Sequence, residues 1–186
     1  MDIQIANELI KMARHDLQVR DKLLKDGKLS DGYNPIMESV HKKNAARLDE
    51  IINAVGYPTR LIVGEKASDA AWLIVQHAIS EPALMKKCYR LLSATDGEVN
   101  PQNLAYMHDR ICYFEGRPQK YGTQFDNRGL YPVENKERMI LLRKELGLGE
   151  IEQNAIIEIN TDDHENLDLH PDDLKFNSWR KQVGWL

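Results

Sequence analysis

Between Gly64 and Ile79 runs GEKASDAAWLIVQHAI, a stretch with helical periodicity and almost no polar side. Ala67, Ala70, Ile74 and Ala78 cover one side of the predicted helix, while Trp72 and Leu73 cover others. A helix that is apolar nearly all round is the buried centre of a bundle, so the rest of the chain must supply helices to cover it. Gln76 and His77, at its end, then become buried polar groups that need hydrogen-bond partners.

The covering helices are legible. Residues 3–25 carry Ile5, Leu9, Met12, Val19 and Leu23 at amphipathic spacing and stop near Gly27. After the turn-rich LSDGYNP, a second helix runs from about Met37 to Val55 and is ended by Gly56 and Pro58. Its apolar stripe of Met37, Leu48, Ile51, Ile52 and Val55 contains His41 and Asn44, which therefore point inward. Ser80 is the expected cap of a helix reaching about Ala94, and Asn100-Pro101 starts another that reaches Glu115. On that helix Leu104, Met107, Ile111 and Phe114 form the core stripe. Tyr106, Asp109 and Tyr113 gather on the opposite face with Arg110 at its margin. Glu134 to Leu146 reads as one more helix, and the type of Ile151 to Ile159 stays open.

The expected fold is mainly α, a compact helical bundle-like single domain with a small extended or β segment around residues 117–133. Residues 1–157 form the helical domain, 158–173 an acidic linker and 174–186 an aromatic C-terminal segment. The linker holds seven acids and no Lys or Arg, which favours solvation over burial. Phe176, Trp179 and Val183 follow it at helical spacing. Two readings stand for that segment: a last helix packed on its own domain, or a docking element for a second copy or a partner protein.

Charge and motifs narrow the function classes. The formal net charge is −4, and residues 1–133 are nearly neutral, with 17 acids and 18 bases. With no Lys/Arg stripe, nucleic acid is not the expected ligand. The start, MDIQIANELIKMARHD, lacks a basic beginning followed by an apolar stretch and predicts no secretory signal. The run Ala70 to Ile79 is too short to span a bilayer. Cys88 and Cys112, without CxxC spacing, predict reduced thiols used as small apolar residues and a cytoplasmic setting. GxGxxG, GxxxxGK, HExxH and GxSxG are all absent, so no cofactor is expected. His41, His77 and His108 with Asp109 offer enough ligands for zinc, yet no two histidines have the i, i+4 spacing that shares a helical face; no metal is expected.

The stretch RPQKYGTQF, residues 117–125, reads as a short strand with Tyr121, Thr123 and Phe125 at period-two spacing around Gly122. A glycine inside a strand marks either a bulge or turn, or a place where another backbone or a ligand approaches closely.

WLIVQHA at 72–78, AYMHDRI at 105–111 and GRPQKYGTQF at 116–125, in that order and spacing, resemble the bacterial family known as domain of unknown function 6624. VGYPTRLIVG at 55–64 is also similar to it, although members more often have Trp where this chain has Tyr57. The resemblance covers about residues 40 to 148 and leaves out the N-terminal helix and the tail. It implies a set of matching positions, Gln76, His77, Asp109, Arg110, Gln119, Tyr121, Gly122 and Gln124, and implies no reaction.

These residues suggest a pocket in which His77, Asp109, Tyr121 and Gln124 converge. The leading expectation is a cofactor-independent enzyme acting on a small polar or peptide-like substrate. His77 is its general acid or base and Asp109 the orienting carboxylate. Arg110 would bind an anionic group, and Asn44, Gln76, Gln119, Tyr121, Gly122, Thr123 and Gln124 would complete the substrate site. The alternative is a non-catalytic binding protein, of the inhibitor or immunity type, in which the same polar residues hold the fold together.

Overall fold

The computed structural model describes residues 1–29, 32–95, 98–159 and 168–186. The chain is mainly α, with eight helices and one two-stranded antiparallel sheet among the described residues. Its backbone contacts divide into two compact units, Met1–Val99 and Asn100–Leu186. None of the described helices is long and apolar enough to cross a membrane.

The first unit is built around helix α4 (Glu65–His77), against which α1 (Ile3–Lys25), α2 (Pro35–Val55), α3 (Arg60–Val63) and α5 (Pro82–Ser93) all pack. Ala67, Ala70, Ala71, Ile74 and Val75 of α4 are buried, and the small side chains among them let neighbouring helices come close. Leu9 of α1 and Leu48 of α2 have no exposure at all. Asp2 caps α1 by accepting from the Ile5 amide at 3.0 Å. Asn34 caps α2 through the amides of Ile36 and Met37. Gly56, with φ of 81°, ends α2. Ser80 is not the cap of α5: that helix begins at Pro82 after Glu81, and the Ser80 side chain is buried. Proline in the first turn, which needs no amide donor there, fixes the start instead.

In the second unit, Asn100 and Asn135 cap α6 (Pro101–Glu115) and α7 (Lys136–Leu146). Strands β1 (Phe125–Asp126) and β2 (Gly129–Leu130) pair in antiparallel register, Phe125 with Leu130. The predicted strand at 117–125 is therefore mostly loop. Besides Phe125, its last residue, Gln119 alone among these residues is paired, in a bridge to Val133, which in turn bridges Glu158. Leu130, Val133, Met139 and Ile156 pack together beside Ile151, so the undecided stretch 151–159 closes a small core with a 3-10 turn, Gln153–Ala155, and an extended end. Cys88 in the first unit and Cys112 here are free and buried, and burial pushes both thiols up to about 12.

The C-terminal segment packs on its own unit. Helix α8 (Leu174–Val183) sets Phe176 and Trp179 near Phe114 of α6, and Trp185 stacks on Phe114 with centroids 5.0 Å apart. Arg180 is completely buried. It holds the Asp168 carboxylate at 2.7 and 2.9 Å and donates to the Phe114 carbonyl at 3.1 Å. His170 sits under Tyr113 and Tyr131, its Nε2 2.9 Å from the Tyr113 carbonyl. Residues 160–167 of the expected linker lie outside the described residues, but Asp168 and His170 are fixed in place.

This packing sets a pH dependence. Burial pulls the His170 imidazole below its ordinary value, so an undocked segment binds a proton there more readily than the docked one. Burial alone would raise the Asp168 carboxyl; the His170 amide and the Arg180 guanidinium outweigh it and hold the group below the usual carboxylate range. Both effects are at full strength at neutral pH and are lost on acidification: the first from about pH 6.5 downward, the second below about pH 4. In a Trp72→Phe background, emission from Trp179 and Trp185 is expected to shift to the red in these two stages. Emission that stays constant down to pH 4 would contradict the docking described.

Candidate functional site

Asp16, His41 and His77 come from α1, α2 and α4, and their side chains meet inside the first unit. Asp16 is 1 % exposed and His41 8 %. The His77 side chain keeps 25 % of its surface in solvent. His77 Nδ1 lies 2.9 Å from Asp16 Oδ1 in a hydrogen bond. The other carboxylate oxygen, Oδ2, faces His41 Nε2 at 3.3 Å, but the two do not reach hydrogen-bond geometry and neither has another partner. The rings of His41 and His77 are 5.0 Å apart. Tyr33 closes the far side, its hydroxyl 2.7 Å from His41 Nδ1 and 3.5 Å from the His77 carbonyl oxygen.

Electrostatics follow from this arrangement. Burial alone would raise the Asp16 carboxyl. Contacts with His41 and His77, and the charge those rings carry when protonated, outweigh it and hold the carboxyl well below the usual range. Asp16 is therefore an anion at neutral pH, and among the described residues the groups that meet its carboxylate are the two imidazoles. Burial pushes the Tyr33 hydroxyl well up, so it stays protonated.

The carboxylate bonded to His77 is thus Asp16, a place that the sequence expectation gave to Asp109. A signal for it was present: Leu9, Asp16 and Leu23 are seven residues apart and fall on one line of α1. The buried line there is Ala6, Leu9, Ala13, Asp16 and Leu23, displaced from the expected stripe because alanines take part in the contact. Asn44 and Gln76 are buried in the same unit, as expected, and Asn44 Nδ2 and Gln76 Nε2 have no hydrogen-bond partner.

The remaining expected site residues lie in the second unit. Asp109 is not on a surface between tyrosines; it is fully buried, because the loop after α6 folds over it and turns its amides inward. Oδ1 accepts from the amides of Lys120 at 2.9 Å and Tyr121 at 3.1 Å. Oδ2 accepts from Tyr121, the Thr123 amide and the Thr123 hydroxyl, each at 3.0 Å. His108 Nδ1 adds a contact at 3.1 Å. Gln119 is just as engaged: Nε2 donates to the carbonyls of Gln124 at 3.0 Å and Tyr131 at 2.6 Å, and Oε1 accepts from the Gln124 amide at 2.8 Å. Arg143 Nη1 holds the Tyr121 and Gly122 carbonyls, both at 2.8 Å. Arg110 lies along α6 with its Nε buried and unpartnered, and burial lowers its pKa.

Gly122 answers the question its neighbours raised. It has φ of 68°, and a Cβ there would stand 2.6 Å from the Met139 sulfur. The close approach is to the protein's own core. Gly122→Ala is expected to cost about 1–3 kcal/mol from backbone strain and contact. Asp109→Asn, which replaces one acceptor oxygen by a donor facing amide N–H groups, is expected to cost on the order of 3 kcal/mol. Urea denaturation measures both, and values within about 0.5 kcal/mol of wild type would show the loop to be loosely held.

Among curated proteins and solved structures, nothing matches the chain. One family model does, over residues 2–162, so that all of α1 and with it Asp16 lie inside the match. On that match the chain belongs to the Family of unknown function (DUF6624).

Proposed function

We propose that the chain is an enzyme that acts on a small polar or peptide-like substrate by histidine-based acid–base chemistry, without an organic cofactor. The observation that carries this reading is the 2.9 Å bond between Asp16 Oδ1 and His77 Nδ1 on a ring that remains partly exposed. A carboxylate on Nδ1 fixes the proton there and leaves Nε2 as the atom that takes or gives a proton, the division of labour found in histidine-dependent acyl transfer. Asp16 is the positioning residue and His77 the proton carrier. The amide nitrogens of Asn44, one turn beyond His41, and Gln76, next to His77 in the chain, are buried without hydrogen-bond partners. Two buried free thiols and the resemblance to a bacterial family support a bacterial cytoplasm as the setting.

A second reading has its own support. Asp109, Gln119, Thr123 and Gln124 spend their polar atoms on one another and on the loop backbone, as they would in a binding protein of the inhibitor or immunity type. For those residues the structural role is the better supported one; for His77 the catalytic role is.

A panel of aryl esters, aryl phosphates and short peptide amides separates the two readings. Turnover of at least one class is expected, reduced about 100-fold or more in His77→Gln. Asp16→Asn is expected to lower kcat more than it raises KM, because it disturbs the ring's tautomer rather than the substrate contacts. If no class is turned over, or if His77→Gln is as active as wild type, the enzymatic reading is wrong.

A further inference from the structure

We infer that Asp16, His41 and His77 form a binding site for a divalent transition-metal ion, zinc foremost. Among the described residues this is the only group of three or more such side chains whose ligand atoms all lie within 4.8 Å of one another. Two of those atoms, Asp16 Oδ2 and His41 Nε2, are buried, point at each other and have no hydrogen-bond partner. They make an ion pair only when His41 is protonated, whereas a cation between them meets the carboxylate and the neutral ring at once. Their 3.3 Å separation is that of neighbouring ligands in a tetrahedral site, where bonds of about 2.0–2.1 Å place donors roughly 3.4 Å apart. Two imidazoles and one carboxylate suit zinc and its neighbours in the transition series, and suit calcium or magnesium poorly.

The surroundings fit the same assignment. A histidine that binds metal through Nε2 needs an acceptor for its Nδ1 proton, and the Tyr33 hydroxyl stands 2.7 Å from His41 Nδ1. The tyrosine hydroxyl in turn donates a hydrogen bond to the His77 carbonyl, 3.5 Å away. The three ligands sit on three packed helices, one of them the buried α4, so the site is largely preformed. The exposed flank of His77 leaves a side on which the ion can carry water.

Binding moves a proton within the ring. In the hydrogen-bonded form His77 Nδ1 holds its proton against Asp16 Oδ1; in the ion-bound form that nitrogen is a ligand and the neutral ring carries its proton on Nε2. The inference rests on the same side chains as the acid–base reading, and the two forms exclude each other: the ion occupies the nitrogen that Asp16 otherwise orients.

The test uses the full chain stripped of metal with a chelator. Titration with zinc by calorimetry is expected to show one ion per chain. Cobalt should give the visible absorption of a tetrahedral nitrogen–oxygen site. Tyr33→Phe keeps every ligand and is expected to weaken zinc about 10-fold. Asp16→Asn and His41→Gln, checked for helicity by circular dichroism, should weaken it further. If zinc fails to bind the wild-type chain, or binds Asp16→Asn and His41→Gln as tightly as wild type, the inference is overturned. Assays of the stripped protein keep the two proposals apart. Turnover that zinc suppresses supports both, and turnover that requires zinc supports the ion and removes His77 as proton carrier. Turnover without any zinc binding removes the ion and leaves the acid–base reading standing.

Discussion

A carboxylate shut away from water must be met by donors, and two aspartates impose that demand on this chain. Asp109 meets it with backbone: the loop after α6 has no regular structure of its own and takes its shape from turning the amides of Lys120, Tyr121 and Thr123 toward one anion. Gln119 then holds the Gln124 carbonyl and Arg143 those of Tyr121 and Gly122. Asp16 meets the same demand with side chains, and less tightly, since its second oxygen faces only the His41 ring, at 3.3 Å and short of hydrogen-bond geometry. The first solution is complete and therefore structural. The second retains unsatisfied polar atoms beside a partly exposed ring, which is where chemistry has something to act on.

The helices were legible in the sequence because their signals are local. Asn34, Asn100 and Asn135 sit at helix starts, and the unbroken apolar character of α4 marks it as the element the others cover. His41 and Asn44 were legible as inward-facing for the same reason, each lying within a stripe that a helical wheel defines. The loop at 117–124 was not. Its alternation of Tyr121, Thr123 and Phe125 imitates a strand, but the partner that decides its conformation is a single carboxylate a helix away, and no periodicity reports such a contact. Asp16 was missed because one acid in an amphipathic helix looks like part of the wet face until alanines are counted in the buried line.

Arg180 shows a similar limit. From the sequence it is one cation in a short C-terminal helix, of a type that normally stays in water. Here it is fully enclosed, and what makes that tolerable is the Asp168 carboxylate together with the Phe114 carbonyl, one at the end of the acidic run and one on α6. Neither partner is within reach of a local rule.

The placement of that arginine also bears on the order of events during synthesis. Tyr113 and Phe114 leave the ribosome long before Asp168, Phe176, Trp179 and Trp185, which cover them in the finished unit. The nascent second unit therefore shows an uncovered aromatic face for much of its translation, a surface on which chaperones act and through which unfinished chains aggregate. The first unit faces a comparable wait, since the buried line of α1 is covered only when α4 follows.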